Sequence, residues 1–319
     1  MARKCTGAAL MQQLEGRELL NATLTVAYSG WNVTITGDKT NAHDLRIGVD
    51  NLGFLSIVDN TGVVPTIKGR RAYDPQKTSL TITLGAGSDT VTIPNLQLKN
   101  LTINLGNGDN TLELGDTNLY VSGALTITGG TGADSIRIVE GQFGKTVIKT
   151  GAGNDSLRIA SGDTVETPVF ESTFTLDMGA GVDSLMVSYT SVGATADFNG
   201  FASIKMGEGN DTVTLGGGVN GNDASFNAGS TLDFGNGDDT FNVDPTTSGG
   251  YARFAGKTRM IFNRGNKGST KLSGGAMHFA FGSSFYLDAR YANVSAALMQ
   301  GIDDSQFAFY VNVQMFWLP

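Results

Sequence analysis

The chain has 319 residues, of which 40% are hydrophobic and 16% charged, a balance that excludes a disordered chain held open by its own charge. The net charge of −8 argues against a nucleic-acid partner, and one cysteine with two histidines does not supply a transition-metal centre. The sequence contains no apolar run of the ~18 residues that would span a bilayer.

Residues 1–26 form a segment that precedes the repeating part of the chain. Leu10, Leu14 and Leu20 fall near one helical face, which predicts a short amphipathic helix over residues 5–20 that caps the first coil. Residues 14–20 (Leu-Glu-Gly-Arg-Glu-Leu-Leu) resemble the Leu-Glu-x-Arg-x-Leu-Leu segment near the N-termini of many planctomycete surface and secreted proteins. The resemblance implies an extracellular or cell-surface location.

Residues 27–78 have the pattern of degenerate versions of the coils that follow. The stretch from Asp44 to Ile47 imperfectly repeats the later stretch from Asp155 to Ile159. We therefore place a solenoid over residues 27–248, with its regular coils over residues 79–244.

A Gly-x-Gly-x-Asp motif marks the regular coils. Six copies end in aspartate and one ends in Asn110, and the last positions are 21, 24, 21, 28, 28 and 28 residues apart. This spacing is too long for a hairpin array and suits one solenoid coil per motif. The aspartates are Asp89, Asp134, Asp155, Asp183, Asp211 and Asp239.

Apolar residues recur at fixed distances from each motif. The position two residues after the aspartate is apolar in every copy, and so are the positions four after and seven before. A spacing of two on both sides of the corner predicts strands with alternate residues inward. The first set comprises Val91, Leu112, Ile136, Leu157, Leu185, Val213 and Phe241.

These patterns predict an all-β fold, a right-handed parallel β-helix with about three strands per coil of 21 to 28 residues and a cap at both ends. Each coil is predicted to contain a strand, the corner, a second strand and a third weaker strand, such as Leu96 to Leu98. An outward column offers a separate check on the register. Lys149, Asp177, Lys205 and Asp233 alternate in sign at the same place in four consecutive coils.

The corner motif also suggests a chemistry. Its glycines admit left-handed backbone, so that carbonyl oxygens and the aspartate face a common point. The motif resembles the haemolysin-type (RTX) calcium-binding repeats, Gly-Gly-x-Gly-x-Asp-x-U-x, and Gly129 supplies the additional glycine in one coil. The resemblance implies calcium between successive turns, with the six motif aspartates as metal ligands. The alternative is that each aspartate accepts hydrogen bonds from its own turn and needs no ion, which suits Asn110.

The chain changes character in residues 249–319, which are rich in aromatic residues. Between Phe309 and Trp317, apolar and polar residues alternate as in a strand with one buried face. This region is either a C-terminal cap or a surface that docks on another subunit.

We therefore expect a non-catalytic structural protein of the cell surface or extracellular space. It would form a homo-oligomer, a filament or surface layer, through the solenoid ends or the C-terminal region, with a cell-surface glycan as a candidate partner. The alternative hypothesis is a polysaccharide-active β-helix enzyme, a lyase or hydrolase. Its candidate residues are Glu166, Glu171, Asp177 and Lys149.

Overall fold

The structure is a computed structural model that describes residues 22–160, 167–188, 194–216, 223–243, 252–262, 271–273, 277–279, 284–288 and 308–312. The described residues form strands and connections, and contain no helix. The amphipathic helix predicted over residues 5–20 lies outside them. Within the described ranges there is accordingly no helix long and apolar enough to cross a membrane.

The strands follow one another at short intervals along the chain. The first nine are β1 (Thr25–Ser29), β2 (Asn32–Thr36), β3 (Asp44–Val49), β4 (Leu55–Asp59), β5 (Thr66–Lys68), β6 (Ser79–Thr83), β7 (Thr90–Leu98), β8 (Asn100–Asn104) and β9 (Thr111–Thr128). The next nine are β10 (Ser135–Ile138), β11 (Gln142–Ala152), β12 (Ser156–Ile159), β13 (Val169–Phe170), β14 (Phe174–Ala180), β15 (Ser184–Val187), β16 (Ala196–Phe198), β17 (Ala202–Lys205) and β18 (Thr212–Leu215). The last nine are β19 (Ala224–Phe226), β20 (Ser230–Asp233), β21 (Thr240–Val243), β22 (Ala252–Phe254), β23 (Lys257–Ile261), β24 (Lys271–Ser273), β25 (Met277–Phe279), β26 (Ser284–Asp288) and β27 (Ala308–Asn312).

Parallel pairing between coils arranges these strands in three faces, so the predicted parallel β-solenoid is confirmed. Face A precedes the corner and includes β2, β6, β8, β14, β17, β20, β23, β26 and β27. Face B follows the corner and includes β3, β10, β12, β15, β18, β21 and β24. Face C is the third strand of each coil and includes β13, β16, β19, β22 and β25. The long strands β7, β9 and β11 each contribute to more than one face.

The N-terminal end of the solenoid reverses the direction of its strands. Strand β1 pairs antiparallel with β2, and β4 pairs antiparallel with β3, while β5 lies parallel to β1. The outermost strands at this end therefore run against the coils beneath them. Such a reversal interrupts the parallel stacking that an uncapped first coil would offer to another chain.

Inward residues stack in continuous columns, as the sequence predicted. The column two residues after each motif aspartate runs in register from Val91 to Phe241, and each member is at most 1% exposed. Leu45 extends it into the first coil, where it pairs with Val91. These columns fill the space between the three faces with apolar side chains.

Face C contributes a column of stacked phenylalanine rings that sequence reasoning missed. Its members are Phe143, Phe170, Phe198, Phe226 and Phe254. Neighbouring rings are 5.4, 4.9, 4.8 and 5.0 Å apart between centroids. The stacked rings fix the register of the third strand, which the sequence pattern marked most weakly. A stacked ring pair stabilises the fold by more than the burial of its apolar area alone.

Candidate functional site

The corner aspartates form a column inside the solenoid. Each lies immediately before a face B strand, and all six are buried, with exposed fractions between 0 and 2%. Their inward direction follows from the strand alternation, because residues two and four positions later also point inward. These even spacings are visible in the sequence, and they place the carboxylates in the interior.

One oxygen of each carboxylate is bound to the neighbouring coil. The Oδ1 atom of Asp183 accepts a hydrogen bond from the backbone N–H of Asp155 at 2.8 Å, and Oδ1 of Asp211 accepts from the N–H of Asp183 at 2.8 Å. The other coils repeat this contact at 2.7 to 3.1 Å. These bonds link successive coils, whereas the Asx-turn alternative placed them within one turn. The column therefore fastens each coil to the one before it.

The backbone at the same positions continues this link. The N–H of Ser184 donates to the carbonyl oxygen of Asp155, and the N–H of Thr212 donates to that of Asp183, both at 2.8 Å. The five corner aspartates from Asp89 to Asp211 thus accept from one neighbouring coil through the side chain and from the other through the backbone.

The second oxygen of each aspartate has no such partner. The Oδ2 atoms of all six motif aspartates are buried and accept no hydrogen bond from the protein. A buried polar atom in this position is normally satisfied by a proton, a water molecule or a cation. These six oxygens are therefore the atoms of the column that the protein itself leaves without a hydrogen-bond donor.

Burial controls the protonation of these groups. Removal from water raises the pKa of Asp183 and of Asp239 to about 7, and that of Asp89, Asp134 and Asp211 to about 6. Neighbouring carboxylates add to the rise, as Asp211 and Asp155 do for Asp183. These five carboxyl groups thus take up protons at about pH 6 to 7.

Asn110 keeps the column continuous without a carboxylate. Its Oδ1 accepts from the N–H of Asp89 at 2.9 Å, as an aspartate would. Its Nδ2 donates to Oδ1 of Asp134 at 2.9 Å and to the carbonyl oxygen of Gly108 at 2.9 Å. The amide therefore supplies two donors that an ionised aspartate lacks.

His43 ends the column at the N-terminal coil. Its backbone N–H donates to Oδ1 of Asp89 at 2.7 Å, so His43 occupies the corner position of the first coil. Asp44 instead pairs with Thr90 on face B, one residue after the corner. The His43 ring lies 2.7 Å from Oδ2 of Asp59 through Nδ1, and both side chains are fully buried.

Glycine is required at the corners by conformation and by close stacking. Gly181 has φ +149° and Gly209 has φ +132°. A Cβ at Gly209 would collide with the carbonyl oxygen of Gly181 on the adjacent coil. The motif glycines therefore let one corner stack directly on the next.

Calcium suits the carboxylate oxygens but needs six to eight oxygen ligands. The column offers one free carboxylate oxygen in each of the six coils that have a corner aspartate, and in the described ranges no group of three or more His, Cys, Asp or Glu side chains is arranged to hold a metal. Backbone carbonyl oxygens would have to complete a shell. At Gly129, both Oδ2 of Asp134 and the carbonyl oxygen of Thr150 lie where a Cβ would be placed. Calcium binding stays a prediction.

The candidate enzyme residues lie on outward columns. Glu171 is exposed and accepts a hydrogen bond from Nδ2 of Asn199 at 2.9 Å. Asp177 lies 3.6 Å from Nζ of Lys205, and Lys149 is in register with Asp177. Glu166 lies outside the described residues. The predicted register of the alternating charges is confirmed, and Lys205 with Asp177 forms an ion pair within it.

Comparison with known proteins finds no family model that matches the chain, and no match among curated proteins or solved structures. The resemblances to calcium-binding repeats and to planctomycete surface proteins therefore rest on the quoted residues alone.

Proposed function

We propose that this chain is a non-catalytic structural protein of the cell surface or extracellular space, a stiff rod that assembles into a filament or surface layer. The observation that carries the proposal is the buried corner column, which joins successive coils through side-chain and backbone hydrogen bonds. Three faces of parallel pairing run beside it. A body so linked from coil to coil resists bending and local opening.

The two ends suggest where assembly would occur. The N-terminal end has reversed strands, while β27, the last strand among the described residues, pairs in parallel with β26. An end strand that keeps the direction of its face can accept another strand by β-augmentation. We therefore assign the contact between copies to the C-terminal region. The surface location rests on residues 14–20 and their resemblance to exported proteins.

Electron microscopy of the purified full-length protein over a range of concentrations tests the assembly. We expect filaments or sheets at high concentration, and sedimentation should show a shift from monomer to large species. A monodisperse monomer at the highest concentration, with calcium present, would overturn the proposal.

Calcium is the second part of the proposal, because a divalent cation would satisfy the free Oδ2 atoms and reduce the repulsion between stacked carboxylates. A thermal melt with millimolar calcium should show a higher midpoint than a melt with a chelator at equal ionic strength. The rise should be smaller in Asp134→Asn, whose side chain retains an amide acceptor. Equal midpoints in calcium and chelator for the wild-type chain would reject calcium binding and leave the assembly test unaffected.

A further inference from the structure

The outward surface of face A carries an ordered array of small polar residues over its first four coils. Parallel pairing places β2, β6, β8 and the end of β9 in register. Two outward columns result, separated by an inward isoleucine in each strand. The first contains Thr34, Thr81, Thr102 and Thr126, and the second contains Thr36, Thr83, Asn104 and Thr128. We call these eight residues the threonine array.

The array is uncharged, in contrast to the second column of the later coils on the same face. All eight side chains are short and of nearly equal reach, and each is exposed or half-buried. In the next four coils the second column becomes Lys149, Asp177, Lys205 and Asp233. The first column continues there with Val147, Thr175, Ser203 and Thr231. The change from neutral to charged residues therefore divides one continuous sheet face into two halves.

Strand propensity explains only part of this pattern. Threonine is a good strand former, and cross-strand threonine pairs stabilise a sheet. Those requirements apply equally to the later coils, which meet them with lysine and aspartate in the second column. The exclusion of charge from both columns of the first four coils is thus not demanded by the fold.

The spacing of the array is fixed by the backbone. Neighbouring strands lie about 4.8 Å apart, and successive outward residues of one strand lie about 6.6 Å apart. Each threonine presents a hydroxyl that can both donate and accept, next to a methyl group. The Thr128 hydroxyl lies 3.3 Å from the carbonyl oxygen of Ile103, a contact that restricts its rotamer.

From this geometry we propose that the threonine array binds the surface of ice crystals. Ice presents a neutral, repeating lattice of donors and acceptors whose surface repeats are close to the two spacings of the array. A rigid sheet holds its side chains in place before contact, so little entropy is lost on binding. Charged side chains carry strongly held hydration of their own, which would disrupt such a lattice, and the array contains none.

A crystalline polysaccharide is the competing flat ligand, but it is the less suitable one. Planar sugar surfaces are commonly met by aromatic side chains, which combine a large apolar area with fixed geometry. None of the eight array positions is aromatic. The hydroxyl and methyl pattern therefore favours ordered water over sugar rings.

The test uses the purified full-length chain and measures thermal hysteresis, inhibition of ice recrystallisation and partition into a growing ice front. We expect all three for the wild-type chain. Thr102→Tyr places a projecting aromatic ring in the middle of the array and should abolish all three activities. Thr231→Tyr makes the same change in the same column among the charged coils, and should retain them. Thermal melts of both variants establish that each is folded.

Absence of thermal hysteresis and of ice partition in the wild-type chain would overturn the proposal. Equal loss in the two tyrosine variants would do so too, since it would place the activity elsewhere. Retention on cellulose or chitin together with no ice partition would assign the face to a polysaccharide instead. These outcomes do not depend on whether the rod assembles.

Discussion

The first coil and the motif-bearing coils bury carboxylates in opposite ways. In the first coil, burial alone would raise the pKa of Asp59, but hydrogen bonds from His43, Thr61 and Asp44 lower it below its usual value. In the motif-bearing coils, each aspartate accepts a backbone N–H bond at Oδ1, joined at Asp134 by the side-chain amide of Asn110, and none at Oδ2. The pKa of Asp183 rises to about 7. The difference shows that the aspartates of the column each have one oxygen without a hydrogen-bond donor. At the N-terminal end, His43 is paired with Asp59, whose carboxylate is hydrogen-bonded.

Glycine substitutions should give the largest difference in stability effect between the first coil and the motif-bearing coils. Gly209→Ala should destabilise the protein by about 4 kcal/mol or prevent folding, because a Cβ there meets the carbonyl oxygen of Gly181 at a left-handed φ. Gly48→Ala in the first coil is the matched control. It has no atom within 4 Å of the added Cβ, so its stability should be unchanged or slightly increased. Denaturant unfolding followed by circular dichroism measures both, and equal destabilisation would refute the stacking argument.

The pH dependence of stability should reflect the column. For aspartates with a raised pKa, the folded state binds more protons than the unfolded state between about pH 4 and pH 7. Stability should therefore fall as pH rises through this window, and each isolated group should contribute about 1.4 kcal/mol for every tenfold gain in its proton affinity on folding. Melts in chelator from pH 5 to pH 8 measure it. A midpoint that rises over this range would contradict the assigned protonation.

Asp59 should act with the opposite sign and at lower pH. Because folding lowers the pKa of Asp59, its ionised side chain stabilises the fold at pH values above the usual aspartate pKa. This contribution is lost as pH falls through the folded-state pKa. His43→Ala removes one of its hydrogen-bond partners, which raises the folded-state pKa of Asp59, so the acid limb of the melt curve should shift upward in pH.

Two substitutions at one column position isolate the coil-to-coil hydrogen bond. At pH 5, Asp183→Ala leaves the N–H of Asp155 buried without an acceptor and should cost about 1 to 3 kcal/mol. Asp183→Asn keeps an acceptor, as Asn110 does naturally, and should cost less. Chemical denaturation at fixed pH compares them. The role of the bond is disproved if the asparagine variant is as unstable as the alanine variant.

The outward charges should contribute least. Asp177→Asn removes an exposed ion pair with Lys205 and should change stability by only ~0 to 1 kcal/mol, an effect that high salt reduces. A change larger than that of Asp183→Ala would show that the outer column, and not the buried one, holds the register.

The contrast between the columns shows which features could be read from sequence. The inward column beginning at Val91 was predictable because identical spacing around each motif requires like residues to stack. The phenylalanine column was not recognised because strands such as β13 and β16 are only two and three residues long, although Phe170, Phe198, Phe226 and Phe254 each lie 15 residues after a motif aspartate. The corner position of His43 was also missed, since no Gly-x-Gly-x-Asp spelling marks the first coil.

The sequence by itself determined the coil repeat, the inward apolar columns and the place of the corner, since period-two alternation and motif spacing are local properties of the chain. Only the tertiary structure decided that each carboxylate binds the preceding coil, that β1 and β4 run antiparallel to the strands of the first coil, and that eight polar residues align as the threonine array. These features depend on which coil lies next to which. That adjacency is set by packing between residues 21 to 28 positions apart.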